Sequence, residues 1–337
     1  MEIAIGLLII AVGAFCQSSC YVPINRIRQW SWESYWIVQG FFAWLVLPLV
    51  GAMLAVPEGH SLVELFTQDP AATGMTVLYG ALWGVGGLTF GLSMRYLGIA
   101  LGQSIALGTC AGLGTILAPV FTGHAADLTT SVIIGVVVTL AGIAIIGVAG
   151  SMKAASLSDE EKRAAVKDFN FPKGILVALL AGFMSACFNI GLAKGQHLFF
   201  EEVDPMFRSL PATLLVTLGG FATNAVYCFA QNSRNRTWSD YRQGAVWGNN
   251  LLFCLIAGAL WYSQFFGLAL GKGFLTESPV LMTFAFCILM ALNVVFSNVW
   301  GILLKEWKGC SRKTIAVLVA GIVVLIVSSF LPQLISY

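Results

Sequence analysis

Charged side chains are placed along this chain so that long runs contain none. Stretches free of Asp, Glu, Lys and Arg run from 3 to 25, 34 to 57, 70 to 94, 96 to 126, 128 to 152, 174 to 193, 209 to 233, 243 to 271, 278 to 304 and 314 to 337. Each reaches the roughly 20 residues that a helix needs to cross a hydrocarbon core of about 30 Å. Inside lipid every backbone amide needs a partner within its own segment, so runs this long and continuously apolar predict helices and not barrel strands. The pattern predicts an all-α polytopic membrane protein of ten transmembrane helices.

Composition supports that class. Of 337 residues, 58% are hydrophobic and 10% charged, against about 25% charged in soluble domains. The first run follows Glu2 and lacks the basic start of a secretory signal, so it reads as a retained helix. Phe15 before Cys16 does not fit a lipoprotein site. The eight cysteines fall singly, with no CxxC pair, and read as small apolar packing residues rather than metal ligands. No phosphate loop, hydrolytic triad or metal pattern emerges, so neither catalytic residues nor an enzyme are expected.

Basic residues are held on the cytoplasmic side of short loops. Assigning the connections alternately to two sides puts fifteen of the eighteen Lys and Arg on one side, among them Arg26, Arg28, Arg95, Arg234, Arg236 and Arg242. Lys194, Arg208 and Lys272 fall on the other, which predicts both termini outside the cell. The net charge of +2 is explained by topology and gives no reason to expect a nucleic-acid partner; the surrounding partner is membrane lipid.

The charged loop at 153–173 divides the chain into segments 1–152 and 174–337 of five spans each. "GLLIIAVGAF" at 6–15 resembles "GILVALLAGF" at 174–183, "GALW" at 80–83 recurs at 258–261, and "FGL" at 90–92 recurs at 266–268. Order and spacing are kept, which predicts a duplicated five-helix unit. Because five is odd, the second copy is inserted the other way up. Inverted repeats are an architecture of alternating access, with substrate bound near the midplane.

Polar residues within the spans are amides rather than charges. Gln17, Gln39, Gln103, Asn189, Asn224, Gln264 and Asn293 are candidate substrate-binding residues, and the alternative for each is interhelical glue worth about 0.6 kcal/mol on average. Amides favour a neutral, hydroxyl-rich cargo, because a charged cargo calls for a buried counter-charge. Trp83 and Trp261 occupy equivalent places in the two repeats, and a flat indole suits the apolar face of a pyranose ring. Packing or lipid contact is the competing reading for both.

Between Arg242 and Lys305 only Lys272 and Glu277 are charged. They read either as a solvated turn or as a proton-coupling pair, with a partly buried Glu277 as carrier. Glu33, placed just before the second span, is the rival. No cofactor is expected beyond a proton gradient, and a sodium gradient stays open.

Particular words add ancestry. "RQWSWES" at 28–34, "GLSMRYLGIALG" at 91–102 and "LLKEWKG" at 303–309 resemble the L-rhamnose-proton symporter family of the drug/metabolite transporter superfamily. The resemblance covers nearly the whole chain. It implies proton-coupled uptake of L-rhamnose, or a similar neutral sugar, across a bacterial inner membrane. An exporter of drugs or metabolites is the alternative within the same superfamily.

Overall fold

The computed structural model describes residues 2–97, 99–156 and 170–336; for residues 91, 94, 95, 99–101 and 171 it describes the backbone alone. Residues 157–169, most of the predicted linker, lie outside the described residues, as does the side chain of Arg95. Among the described residues there is no strand, and nine helices are long and apolar enough to cross a membrane.

Those nine are α1 (Glu2–Ser19), α2 (Trp32–Met53), α4 (Ile99–Phe121), α5 (Thr130–Ala155), α6 (Phe171–Lys194), α7 (Leu210–Asn235), α8 (Gly244–Gly273), α9 (Pro279–Leu303) and α10 (Arg312–Leu334). The predicted run at 70–94 lies in α3 (Pro70–Leu97), a helix of 28 residues. Helix starts follow local chemistry: hydroxyls of Thr129, Ser278 and Ser311 accept the backbone N–H of Val132, Leu281 and Thr314, capping α5, α9 and α10.

Two boundaries differ from the charge-free runs. α2 begins at Trp32, so Glu33 lies inside its first turn and not ahead of the span. α8 continues to Gly273, so Lys272 sits in its last turn and not in a hairpin loop. Both differences have one cause: a helix terminus favours a charge of the right sign, an acid at the start and a base at the end, so charge does not mark the limit of the helix.

The chain forms two compact units. Unit 1 comprises Met1–Gly84 and Gly191–Thr276; unit 2 comprises Val85–Ile190 and Glu277–Tyr337. The divisions fall inside α3 and at the end of α6, and each unit draws on both sides of the predicted linker.

In unit 1, α1 and α8 meet backbone to backbone. A Cβ on Gly13 would stand 2.7 Å from the Ser263 carbonyl oxygen, and one on Gly6 would stand 2.8 Å from that of Gly271. Small residues permit this closeness, which in lipid replaces the hydrophobic drive between helices. In unit 2, α5 and α10 pack through Gly142 against Leu325 and through Gly321 against Ile146. A buried bond from Thr139 Oγ1 to Ser328 Oγ, 3.0 Å, joins the same two helices.

Candidate functional site

The second span is not a uniform α-helix. Its middle turn, Phe41–Val46, is π-helical, and the Leu47 N–H bonds to the Phe42 carbonyl five residues back. Pro48 follows at once. A proline lacks an N–H, and its ring clashes with the carbonyl four residues earlier, here that of Trp44. Widening the preceding turn relieves that clash, and such single π turns are frequent at functional sites.

Trp44 stands in the widened turn at the centre of an aromatic cluster. Its ring lies edge-on to Trp36 at 5.6 Å, Trp83 at 6.0 Å and Trp261 at 5.7 Å. Trp83 and Trp261, singled out by the recurring GALW word, lie together, with centroids 5.7 Å apart and planes 35° off parallel. Phe265 closes on Trp261 at 5.2 Å. Glycine makes room: the Trp83 ring lies on Gly220 and the Trp44 ring folds back onto Gly40. Every member belongs to unit 1.

Amides border these rings. The Trp36 Nε1 donates to Asn224 Oδ1 at 3.0 Å, and Asn224 Nδ2 donates onward to the Gly220 carbonyl at 2.9 Å. Gln39 is 1% exposed. Its Oε1 makes no hydrogen bond among the described residues, and the same holds for Trp44 Nε1 and the Tyr262 hydroxyl. Gln264 Nε2 donates to the carbonyl of Trp261 at 3.2 Å, and Gln17 is half-buried on α1. The remaining predicted amides belong to unit 2. There Asn189 Nδ2 donates to the Gly114 carbonyl at 2.8 Å, a bond between α6 and α4. Gln103 is half-buried, and Asn293 is buried on α9.

Glu33 sits in a second polar cluster of unit 1. It is 6% exposed, and its Oε1 accepts from Asn235 Nδ2 and Thr237 Oγ1, both at 2.9 Å. Asp240, equally buried, accepts from the Ser31 N–H at 2.8 Å and the Ser31 hydroxyl at 2.7 Å. Asn232 Nδ2 donates into both arms, to Ser34 Oγ and to Thr237 Oγ1 at 2.9 Å each. Its Oδ1 accepts from the Tyr241 hydroxyl at 3.1 Å, and burial raises the Tyr241 phenol above its usual value, keeping it a donor. The turn that aligns this cluster is a left-handed residue, Arg236, at φ 58°. It ends α7 with its N–H on the Asn232 carbonyl.

Glu277, by contrast, is exposed, and Ser278 rather than Glu277 caps α9. Glu277 is therefore not partly buried as expected, while its rival Glu33 is buried. Lys272 is half-buried. Another polar pair of unit 1 joins His197 Nε2 to Asp69 Oδ2 at 3.0 Å. The Ala72 N–H, and after it His197, hold the exposed Asp69 carboxyl below the usual aspartate range.

Neither the charge-free runs nor the recurring words mark Trp36, Trp44, Tyr262 or Asp240. A signal for two of them was available: Trp32, Trp36 and Trp44 recur at one and two further helical turns ahead of Pro48.

A model of the L-rhamnose-proton symport protein family matches residues 1–334. An L-rhamnose-proton symporter of Cronobacter sakazakii is 33% identical over 344 residues, covering 97% of this chain and 96% of its own. With the same coverage, those of Citrobacter koseri and Yersinia pestis are 30% identical over 340 residues and 31% over 341.

Proposed function

Because the chain belongs to the L-rhamnose-proton symport protein family, we propose that it is a secondary active transporter carrying L-rhamnose, or a closely related deoxyhexose, into the cell together with protons. The observation that carries this reading is the family match along residues 1–334, joined to relatives of that name aligned over 97% of the chain. The tryptophan cluster and its amides supply matching chemistry, since sugar sites combine aromatic walls with a few hydrogen-bonding groups.

The sugar is met within unit 1, by Trp83, Trp261, Gln39, Asn224, Gln264 and Gln17. Glu33 is the favoured proton carrier over Glu277 and Lys272. It is a buried carboxylate held by neutral donors, and a proton placed on its Oε1 would set an O–H against the donors of Thr237 and Asn235, loosening the bonds that hold α2 to the end of α7. The full topology is ten spans as two inverted repeats, 1–152 and 174–337, joined by 153–173. Both termini face outward across a bacterial inner membrane, and access alternates between its two sides. Proton motive force supplies the energy, with no resident cofactor.

Uptake of labelled L-rhamnose into proteoliposomes under imposed proton or sodium gradients tests this. Accumulation driven by an inward proton gradient, with alkalinisation of the medium on adding sugar, is expected. Sodium-driven uptake would replace the coupling ion, and net export or no sugar movement would overturn the reading.

A further inference from the structure

Among the buried polar atoms of unit 1, Gln39 Oε1, Trp44 Nε1 and the Tyr262 hydroxyl belong to α2 and α8, two of the helices that build the tryptophan cluster. Leaving such an atom unmet costs a full desolvation penalty. None is near solvent: Gln39 is 1%, Trp44 3% and Tyr262 6% exposed. They comprise one acceptor, one donor and one hydroxyl able to act as either.

Indole rings and helix backbone surround them. The Trp44 ring folds back onto Gly40, the residue after Gln39, while the Gln39 backbone carbonyl faces Gly258 of α8. One turn beyond Gly258 come Trp261, edge-on to Trp44, and Tyr262, whose hydroxyl rests against Gly51. A ligand suited to this setting carries hydroxyls that both donate and accept, and has one apolar edge for the indole wall. A 6-deoxyhexose fits that description, because its C6 is a methyl group where the parent hexose has a hydroxymethyl.

We propose that Trp44 and Gln39 are the specificity-determining residues of a deoxyhexose subsite in unit 1, with the indole wall receiving the 6-methyl group. The proposal rests on the transport reading and deepens it. Trp44 Nε1 donates to a ring hydroxyl oxygen, and Gln39 Oε1 accepts a hydroxyl proton. Pro48 is a positioning residue: it acts through the π turn that places Trp44, and without it the turn can tighten and rotate the indole away.

The test uses the full chain in proteoliposomes, with L-rhamnose and L-mannose, which differ only by the 6-hydroxyl, and with quenching of tryptophan fluorescence as a direct binding readout. The wild type should prefer L-rhamnose by on the order of 10–100-fold in kcat/KM. Trp44→Ala and Gln39→Leu should each raise KM about tenfold or more, roughly the loss of one good contact. Trp44→Ala should also shrink the preference to about threefold or less, the scale of a site with no methyl wall. Pro48→Ala should raise KM with kcat little changed, and Trp44→Phe, which keeps the wall but not the N–H, should raise KM and retain the preference. Trp44→Phe also serves if the alanine variant does not fold. A wild type that moves L-rhamnose while these variants match its KM and preference overturns the subsite alone. A wild type that neither binds nor moves either sugar overturns the transport reading, and the subsite with it.

Discussion

Unit 1 and unit 2 are built from the same kind of helix but use their interiors differently. Of the ten tryptophans, only Trp300 and Trp307 belong to unit 2. Among the described residues the two buried carboxylates, Glu33 and Asp240, belong to unit 1. The interior of unit 2 is filled by side chains such as Phe284, Phe286, Ile288 and Leu325, with Cys110, Cys187 and Cys287 among them. Buried polar contacts in it join its own helices, as in Thr139 to Ser328 and Asn189 to Gly114. Both units bury unmet polar atoms, Thr115 Oγ1 in unit 2 and Gln39 Oε1, Trp44 Nε1 and the Tyr262 hydroxyl in unit 1, but those of unit 1 lie on the helices of its tryptophan cluster. Unmet polar atoms gathered on the helices of an aromatic cluster suit a site.

The largest expected effect separates stability from recognition. Phe286 is 2% exposed, and Phe286→Ala in unit 2 should cost about 3–5 kcal/mol of stability while surviving protein keeps its KM. Trp44→Phe in unit 1 should do the opposite, with modest loss of stability and weakened sugar affinity. Thermal unfolding alongside transport kinetics reads both, and a reversal would break the distinction between the units.

Next comes glycine packing. Gly13→Ala in unit 1 drives a methyl to 2.7 Å from the Ser263 carbonyl oxygen, whereas Gly142→Ala in unit 2 meets the end of Leu325 at 2.6 Å. A helix backbone yields less readily than a leucine tip, so Gly13→Ala should cost about 1–3 kcal/mol and Gly142→Ala less. Comparable yields and melting temperatures for the two would remove that contrast.

Thr139→Val should then lose about 0.6 kcal/mol, the average for a hydrogen bond between membrane helices, with uptake unchanged. The smallest effect concerns acid. Asp69 has a depressed carboxyl value in the folded chain, so its contribution is complete above the ordinary aspartate value of about 3.9 and is lost as pH falls through the lower folded value. His197→Ala should move that loss to slightly higher pH without abolishing it, because the Ala72 N–H remains. Melting temperature followed against pH checks the shift.

Much of this architecture could be read from the sequence. Charge-free runs located the helices because lipid tolerates few ionised groups and no unpaired backbone, and "GALW" at two places pointed to Trp83 and Trp261. Helix ends were read less well. Glu33 and Lys272 lie inside helices because a terminal charge stabilises the end that it occupies. Asp240 was passed over because it lies 209 residues from Ser31, the partner that buries it, and no local pattern reports such a distance.

What the sequence by itself determined was solvent and ancestry: a chain with this spacing of charges folds as membrane-crossing helices, and its words place it among the symporters. Only the tertiary structure decided which polar residues are spent and which are held in reserve. Asn189 and Gln39 are both amides in apolar runs, yet one meets a carbonyl and the other meets none. The difference arises because hydrogen-bond satisfaction depends on what a neighbouring helix presents across the contact, and hydropathy along one helix carries no record of that.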